Sequence, residues 1–170
     1  VVALEPVPSA FAACVRRCEA LPNVSVRNCG LASRDGTLHL FVSTSKSGQS
    51  VTDSSSALAP TKHLLEFPEV EFTETIDVPA LNLDSVVAGE ASANVIVLWL
   101  DLQGLELQVL GASKVGVSLA KVVYMEVCRK PLYLGAPTYK EVQRKMCDWG
   151  YREVSARVGR VSGNALFVRQ

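Results

Sequence analysis

Val95-Ile96-Val97-Leu98-Trp99-Leu100-Asp101-Leu102-Gln103-Gly104-Leu105-Glu106 is the stretch on which the fold turns. Six apolar residues in a row, 95–100, read as a strand, and a run with no polar alternation predicts a central strand covered on both faces. The run stops at Asp101, a glycine follows at 104, and Leu105 opens an apolar pattern at helical spacing, predicted helical over 105–112. Strand, acidic terminus, glycine turn and helix are the parts of an α/β unit, and in open sheets of that class ligands bind at the carboxyl ends of the strands.

Working outward, the chain repeats this alternation. Residues 1–4 form a short apolar run, predicted to be a buried parallel strand ending at Glu5. Ser9 is placed to cap a helix whose apolar face is Phe11, Cys14, Cys18 and Leu21, with Pro22 and Asn23 ending it. Residues 24–28 then read as a second strand, closing a βαβ opening, and 37–43 as a third after the Arg34-Asp35-Gly36 turn. Residues 44–60 are rich in serine and read as a long loop. Over 66–82 apolar and acidic residues alternate with Pro68 and Pro79 interrupting, which predicts irregular edge strands. Residues 121–127 read as another strand, carrying Glu126 near its end. Thr138 and Glu141 match a capping box, Tyr139, Val142, Met146 and Trp149 share a helical face, and Gly150 stops that helix. Residues 151–158 and 164–169 predict an antiparallel closing pair around Gly159 and Gly163. The expectation is one α/β domain over 1–170 with a mainly parallel sheet.

Composition excludes several functions. Lys plus Arg equals Asp plus Glu at 17 each, so nothing electrostatic argues for a nucleic-acid or anionic-membrane partner. No run of about 18 apolar residues predicts a membrane span, and Glu5-Pro6 breaks the first apolar run, so no signal peptide is read. The five cysteines are odd in number and irregularly spaced, which reads as buried free thiols in a reducing, cytoplasmic compartment. Cys14 and Cys18 could reach one ion, yet His39 and His63 lie in unrelated segments and four-ligand spacing is absent, so no metal site is assigned. Asp101 with Glu106 supplies too few ligands for a divalent cation. Walker, Gly-x-Ser-x-Gly and Gly-x-Gly-x-x-Gly patterns are missing.

The strand-end rule selects Glu5, Asn28, Asp101 and Glu126. Glu5 could accept both hydroxyls of a ribose, of a nicotinamide cofactor or of S-adenosylmethionine, or be a surface carboxylate. Asp101 could orient a hydroxyl, take its proton or hold a metal, or merely fix the loop. Glu106 suits a helix N-terminus on dipole grounds alone. Glu126, in an apolar strand, needs a partner, and Arg129 or Lys130 is the nearest in sequence. Trp99, Trp149 and Tyr124 fit core or substrate-pocket positions, core being the better reading for each.

Six segments carry a resemblance to a known family. Val1-Val2-Ala3-Leu4-Glu5-Pro6, Asn28-Cys29-Gly30-Leu31-Ala32-Ser33 with Asp35-Gly36, Val78-Pro79-Ala80-Leu81-Asn82-Leu83-Asp84, residues 98–112 with Asp101-Leu102-Gln103-Gly104-Leu105-Glu106 at their heart, Tyr124-Met125-Glu126-Val127, and Gly163-Asn164-Ala165-Leu166-Phe167-Val168 stand in the order of FkbM-type methyltransferases. The chain resembles that family over nearly its whole length. The resemblance implies a Rossmann-like methyltransferase sheet with an antiparallel last strand and S-adenosylmethionine as methyl donor. It also implies O-methylation of a hydroxyl on a sugar or natural product, hence a small-molecule or glycan acceptor. By position, Glu5 binds the donor ribose, Asn28 and Cys29 lie near its adenine, and Asp101 faces the methyl group and acceptor. It further implies that the family's first strand, glycine turn and first helix stand ahead of Val1 and are missing from this sequence. The rival readings are a non-catalytic, methyltransferase-like binding module and a fragment of a nicotinamide-dependent oxidoreductase. The latter predicts a glycine fingerprint about 20 residues ahead of the ribose acid.

Overall fold

The computed structural model describes residues 1–47, 52–90 and 96–170. It opens with strand β1 (Val2–Leu4), helix α1 (Pro8–Cys18) and strand β2 (Ser25–Arg27), and the two strands pair in parallel from Val2↔Ser25 to Leu4↔Arg27. This is the expected βαβ opening, although β1 is only half-buried. Pro8 rather than Ser9 starts α1: its fixed φ and missing N–H suit the first helical position, and Val7 stands ahead of it without a side-chain cap. The helix ends at Cys18, which leaves Leu21 exposed beyond it.

Strands β3 (Gly30–Ala32), β4 (Gly36–Ser45) and β5 (Val70–Asn82), with the short helix α2 (His63–Glu66) before β5, form a second ladder in the order β3-β5-β4. Here the expectation of irregular edge strands over 66–82 is overturned, because β5 is one continuous strand at the centre of its sheet. Pro79 is tolerated there since β3 begins opposite Ala80, so Pro79 is paired only with Thr37 of β4. Helix α3 (Leu83–Ala88) follows directly, its first turn capped by the Asn82 side chain, which accepts from the Asp84 N–H at 2.8 Å.

Strand β6 (Ile96–Leu100), helices α4 (Glu106–Ala112) and α5 (Lys114–Leu119), strand β7 (Ala120–Cys128), helix α6 (Tyr139–Asp148) and strands β8 (Tyr151–Val158) and β9 (Ser162–Arg169) make up the rest. Their ladder runs β6-β7-β9-β8. Val95 lies outside the described residues, and β6 is an edge strand, not a central one. Leu98 and Leu100 enter the core, but Val97 is 64% and Trp99 78% exposed, so Trp99 is not a core residue. A uniform apolar run conceals the two-residue period that decides which face is covered.

The fold is α/β with mixed sheets. The pairs β1–β2, β3–β5 and β6–β7 are parallel, whereas β4–β5, β7–β9 and β8–β9 are antiparallel, so the sheet is not mainly parallel. The antiparallel last strand is present as β9. One core cluster joins Leu31 of β3, Leu83 of α3 and Leu98 of β6 to Val109 of α4, Met125 of β7, Met146 of α6 and Phe167 of β9. Val2 and Leu4 of β1 pack against it. The capping box at α6 forms as expected, with the Thr138 N–H donating to Glu141 Oε2 at 2.7 Å, and Gly150 ends the run at φ +82°.

The β8–β9 hairpin closes tightly at Gly163, where a Cβ would stand 2.1 Å from the Arg157 carbonyl oxygen and 2.6 Å from the Val158 Cα. Gly163→Ala is therefore expected to destabilise the chain by about 1–3 kcal/mol, toward the upper end because the obstacles are backbone atoms; urea unfolding measures it.

Candidate active site

The turn after β6 is constrained at two consecutive residues. Gln103 has φ +50°, in the left-handed region that glycine favours, and it is the one such non-glycine among the described residues. Gly104 follows at φ +102°, and a Cβ there would meet the Ala136 Cβ at 2.7 Å. Glu106 is 4% exposed and fixes the turn from inside. Its Oε1 accepts from the Leu102 N–H at 2.9 Å and the Gly104 N–H at 3.4 Å. Burial raises the Glu106 carboxyl above its ordinary range, against those hydrogen bonds. Glu106 is thus a loop-fixing residue, beyond any preference for a helix dipole.

The Gln103 side chain gathers the acids. Its Nε2 donates to Asp101 Oδ1 at 2.5 Å and to Glu126 Oε2 at 3.1 Å. Its Oε1 accepts from the Tyr133 hydroxyl at 2.8 Å. Asp101 and Glu126 come together because β6 and β7 run parallel with Leu100 opposite Met125, so the next residue of each strand lies side by side. Neither expected cation serves Glu126. Arg129 donates to the carbonyls of Gly159 and Val158, and Lys130 pairs with Glu66 at 2.9 Å. Burial first, and then the Asp101 charge, push the Glu126 carboxyl up to about 7. Asp101 stands at an exposed strand end, yet its carboxyl is crowded, and desolvation raises it despite the bond from Gln103. Glu126 in turn contributes to raising the Cys128 thiol to about 12, chiefly a burial effect.

The expected ribose acid is held separately. Glu5 Oε1 accepts from the Val7 N–H at 2.8 Å, while the Asn28 Nδ2 donates to the carbonyls of Glu5 and Pro6 at 2.9 and 3.0 Å. Asn28 therefore braces the backbone that presents Glu5. Cys29 is buried at the entrance to β3. Burial raises the Glu5 carboxyl, and the Asp53 carboxylate adds to that rise, as it also does at Asp101. Asp53 thus lies within electrostatic reach of both groups.

Asp53 belongs to the serine-rich segment, of which residues 48–51 lie outside the described part. Its second half is anchored to the site. Ser56 is buried, bridges to Phe41 and donates from Oγ to the Gln103 carbonyl at 2.9 Å. The Tyr133 hydroxyl also bonds the Ser54 carbonyl at 2.8 Å. Sequence reading missed Gln103, Tyr133, Ser56 and Asp53. Only the Asp-Leu-Gln-Gly spacing signalled the first, since the others arrive from loops with no periodic pattern.

All five cysteines are free, but Cys29 alone is buried and Cys147 is exposed, so buried thiols are not the general rule. Among the described residues no cluster of three metal-binding side chains occurs, and no helix is long and apolar enough to cross a membrane.

This arrangement can be set beside known proteins. The model of the methyltransferase FkbM domain matches residues 1–153, from β1 into β8 and across every segment of the site. The chain belongs to the FkbM methyltransferase family. Among curated proteins, the 2-O-methyltransferase NoeI of Sinorhizobium fredii is similar, 26% identical over 132 residues covering 77% of this chain and 54% of that protein. The chain thus spans about half the length of that relative. No solved structure gives a significant match.

The Glu126 carboxyl provides a pH test. A carboxyl raised from 4.5 to about 7 binds more protons folded than unfolded between those values, so its contribution to stability is present below 4.5 and is lost as pH rises through about 7. Glu126→Gln keeps an acceptor for Gln103 and removes that loss. Its melting temperature should exceed that of the wild type by about 7–14 °C at pH 8, and come close to it at pH 4.5.

Proposed function

We propose that this chain carries the donor and acceptor carboxyls of an S-adenosylmethionine-dependent O-methyltransferase acting on a hydroxyl of a sugar or natural product. The observation that carries the reading is the juxtaposition of Asp101 and Glu126 at the ends of parallel strands, bridged by the Gln103 amide with no cation between them among the described residues. It gathers acids in a chain whose formal net charge is zero, and the Asp53 carboxylate acts on both Asp101 and Glu5. A sulfonium donor is a cation, and an acidic basin suits it. Membership of a methyltransferase family supports methyl transfer over hydride transfer, and the name of the Sinorhizobium relative supports oxygen as the acceptor atom. The same reading places the protein in the cytoplasm, with a small-molecule or glycan acceptor and neither nucleic acid nor membrane as partner.

When bound, the donor supplies a methyl group already activated by positive sulfur. The chain has to align and exclude water, and alignment can supply about 7–11 kcal/mol of a barrier. Glu5, with one oxygen held by Val7, presents the other toward the ribose hydroxyls. Asn28 fixes that geometry, and Cys29 lies at the adenine side. Asp101 orients the acceptor hydroxyl and takes its proton.

Calorimetric titration of S-adenosylmethionine into the chain and into Glu5→Ala tests the donor site. Binding is expected in the wild type and should weaken by about tenfold or more in the variant, the worth of a charge-assisted hydrogen bond. Equal affinities would remove Glu5 from the site, and no binding to the wild type would leave this chain without a donor site of its own. Asp101→Asn should keep donor affinity and lower methyl transfer by about 100-fold; unchanged turnover would refute its role.

A further inference from the structure

Glu126 presents a problem that the proposed reaction does not by itself answer. A carboxylate on an inner strand normally finds a cation, but Arg129 and Lys130 turn elsewhere. Its neighbours are Asp101 from the end of β6, Glu106 from α4, Cys128 from its own strand, Tyr133 from the following loop and the neutral Ser162 from β9. Asp101 also feels Asp53. All the ionisable groups among these are acids. Among the described residues, the group that bonds both carboxyls is the Gln103 amide, which is neutral and cannot compensate two negative charges.

We propose that Asp101 and Glu126 act as one proton-sharing pair, and that Gln103 is the positioning residue that holds them so and couples them to the loop at 52–60. This rests on, and deepens, the methyltransferase reading above. Glutamine at φ +50° costs about 1 kcal/mol or more of backbone strain relative to glycine, and such strain persists only where the surroundings over-determine it. Here they do. Ionised carboxylates only accept, so Asp101 and Glu126 draw Nε2 toward them and leave Oε1 facing the Tyr133 hydroxyl, whose single hydrogen is shared with the Ser54 carbonyl. Ser56 holds the Gln103 carbonyl from the loop, and Tyr133 reaches the same loop at Ser54. Loop, amide and acids therefore move together.

The role in the reaction is the proton. As the acceptor oxygen forms its bond to the methyl carbon, the carbon–sulfur bond breaks with its electron pair remaining on sulfur, and the hydroxyl proton passes to Asp101. Asp101 and Glu126 end adjacent parallel strands and share the Gln103 amide, so the pair can store that proton as a shared one, with Glu126 the more basic member. Release to solvent then occurs from Asp101, at the exposed strand end.

Carboxyl titration of the full 170-residue chain by carbon-13 NMR, with labelled Asp and Glu, tests this without donor. In the wild type the two groups should titrate in coupled steps, the upper near 7. Asp101→Asn should lower the Glu126 step by about one pH unit, tenfold in proton affinity, since the neighbouring charge is gone. Gln103→Gly accepts the left-handed backbone and removes the shared donor. It should raise the upper step by about one unit while the melting temperature holds, a change that a merely structural glutamine would not produce. Glu126 titrating in the ordinary carboxylate range, or unmoved by Asp101→Asn, would overturn the pair. An upper step unmoved in folded Gln103→Gly would overturn the role of Gln103. Tyr133→Phe, which frees the amide to rotate, gives the same readout if Gln103→Gly does not fold. Failure of S-adenosylmethionine binding would sink the earlier reading and leave these titrations intact.

Discussion

The site depends on one turn. Between the end of β6 and the start of α4 the chain must reverse within Leu102–Leu105, and it does so through two consecutive residues at positive φ, Gln103 and Gly104. Gly104 is required both by its dihedral and by the approach of Ala136 and Leu58. Gln103 is held by its side chain and its carbonyl at once. Buried Glu106 closes the turn from below by accepting two backbone N–H groups. The β6–β7 register sets Asp101 beside Glu126, and this turn fixes the Gln103 amide that bonds them both.

Charge placement follows from how the cations are used elsewhere. Lys130 and Arg160 both bind Glu66, and Arg27 binds Glu90. Arg129 caps carbonyls in the β8–β9 turn, and Arg169 lies over the Tyr151 ring while donating to the Val117 and Ala120 carbonyls. A balanced overall charge thus coexists with a locally acidic edge, where desolvation and like charges raise Glu5, Asp101 and Glu126 together. Net charge speaks to partners at long range. It does not describe the local field at a strand-end site, where like charges stand side by side.

The two ladders also show why covered faces were misjudged. In β6 the apolar run hides an exposed face bearing Val97 and Trp99, with Trp99 edge-on to Tyr124 at 5.0 Å between ring centroids. In β5 one proline and several acids, with Pro68 just ahead of the strand, suggest an edge, yet the strand is central because β3 is short enough to miss Pro79. Hydrophobicity reports the tendency of a strand to be buried. Its neighbours are set by register and ladder length, which are relations between distant segments.

By itself the sequence determined what depends on local chemistry. The opening βαβ unit, the capping box at Thr138 and Glu141, the stop at Gly150, the closing hairpin and the strand-end placement of Glu5 and Asp101 all follow from side-chain size, φ preference and periodicity within a few residues. The family was legible for the same reason, because its motifs are short and keep their order. Tertiary structure alone decided that Glu126 meets Asp101 rather than Arg129, that Gln103 links them, and that Ser56 and Asp53 arrive from a segment with no periodic signal. It also decided that half of the strand pairings among the described residues are antiparallel. Those outcomes depend on pairing across dozens of residues and on desolvation by groups far away in the chain, and neither leaves a mark on any single window of sequence.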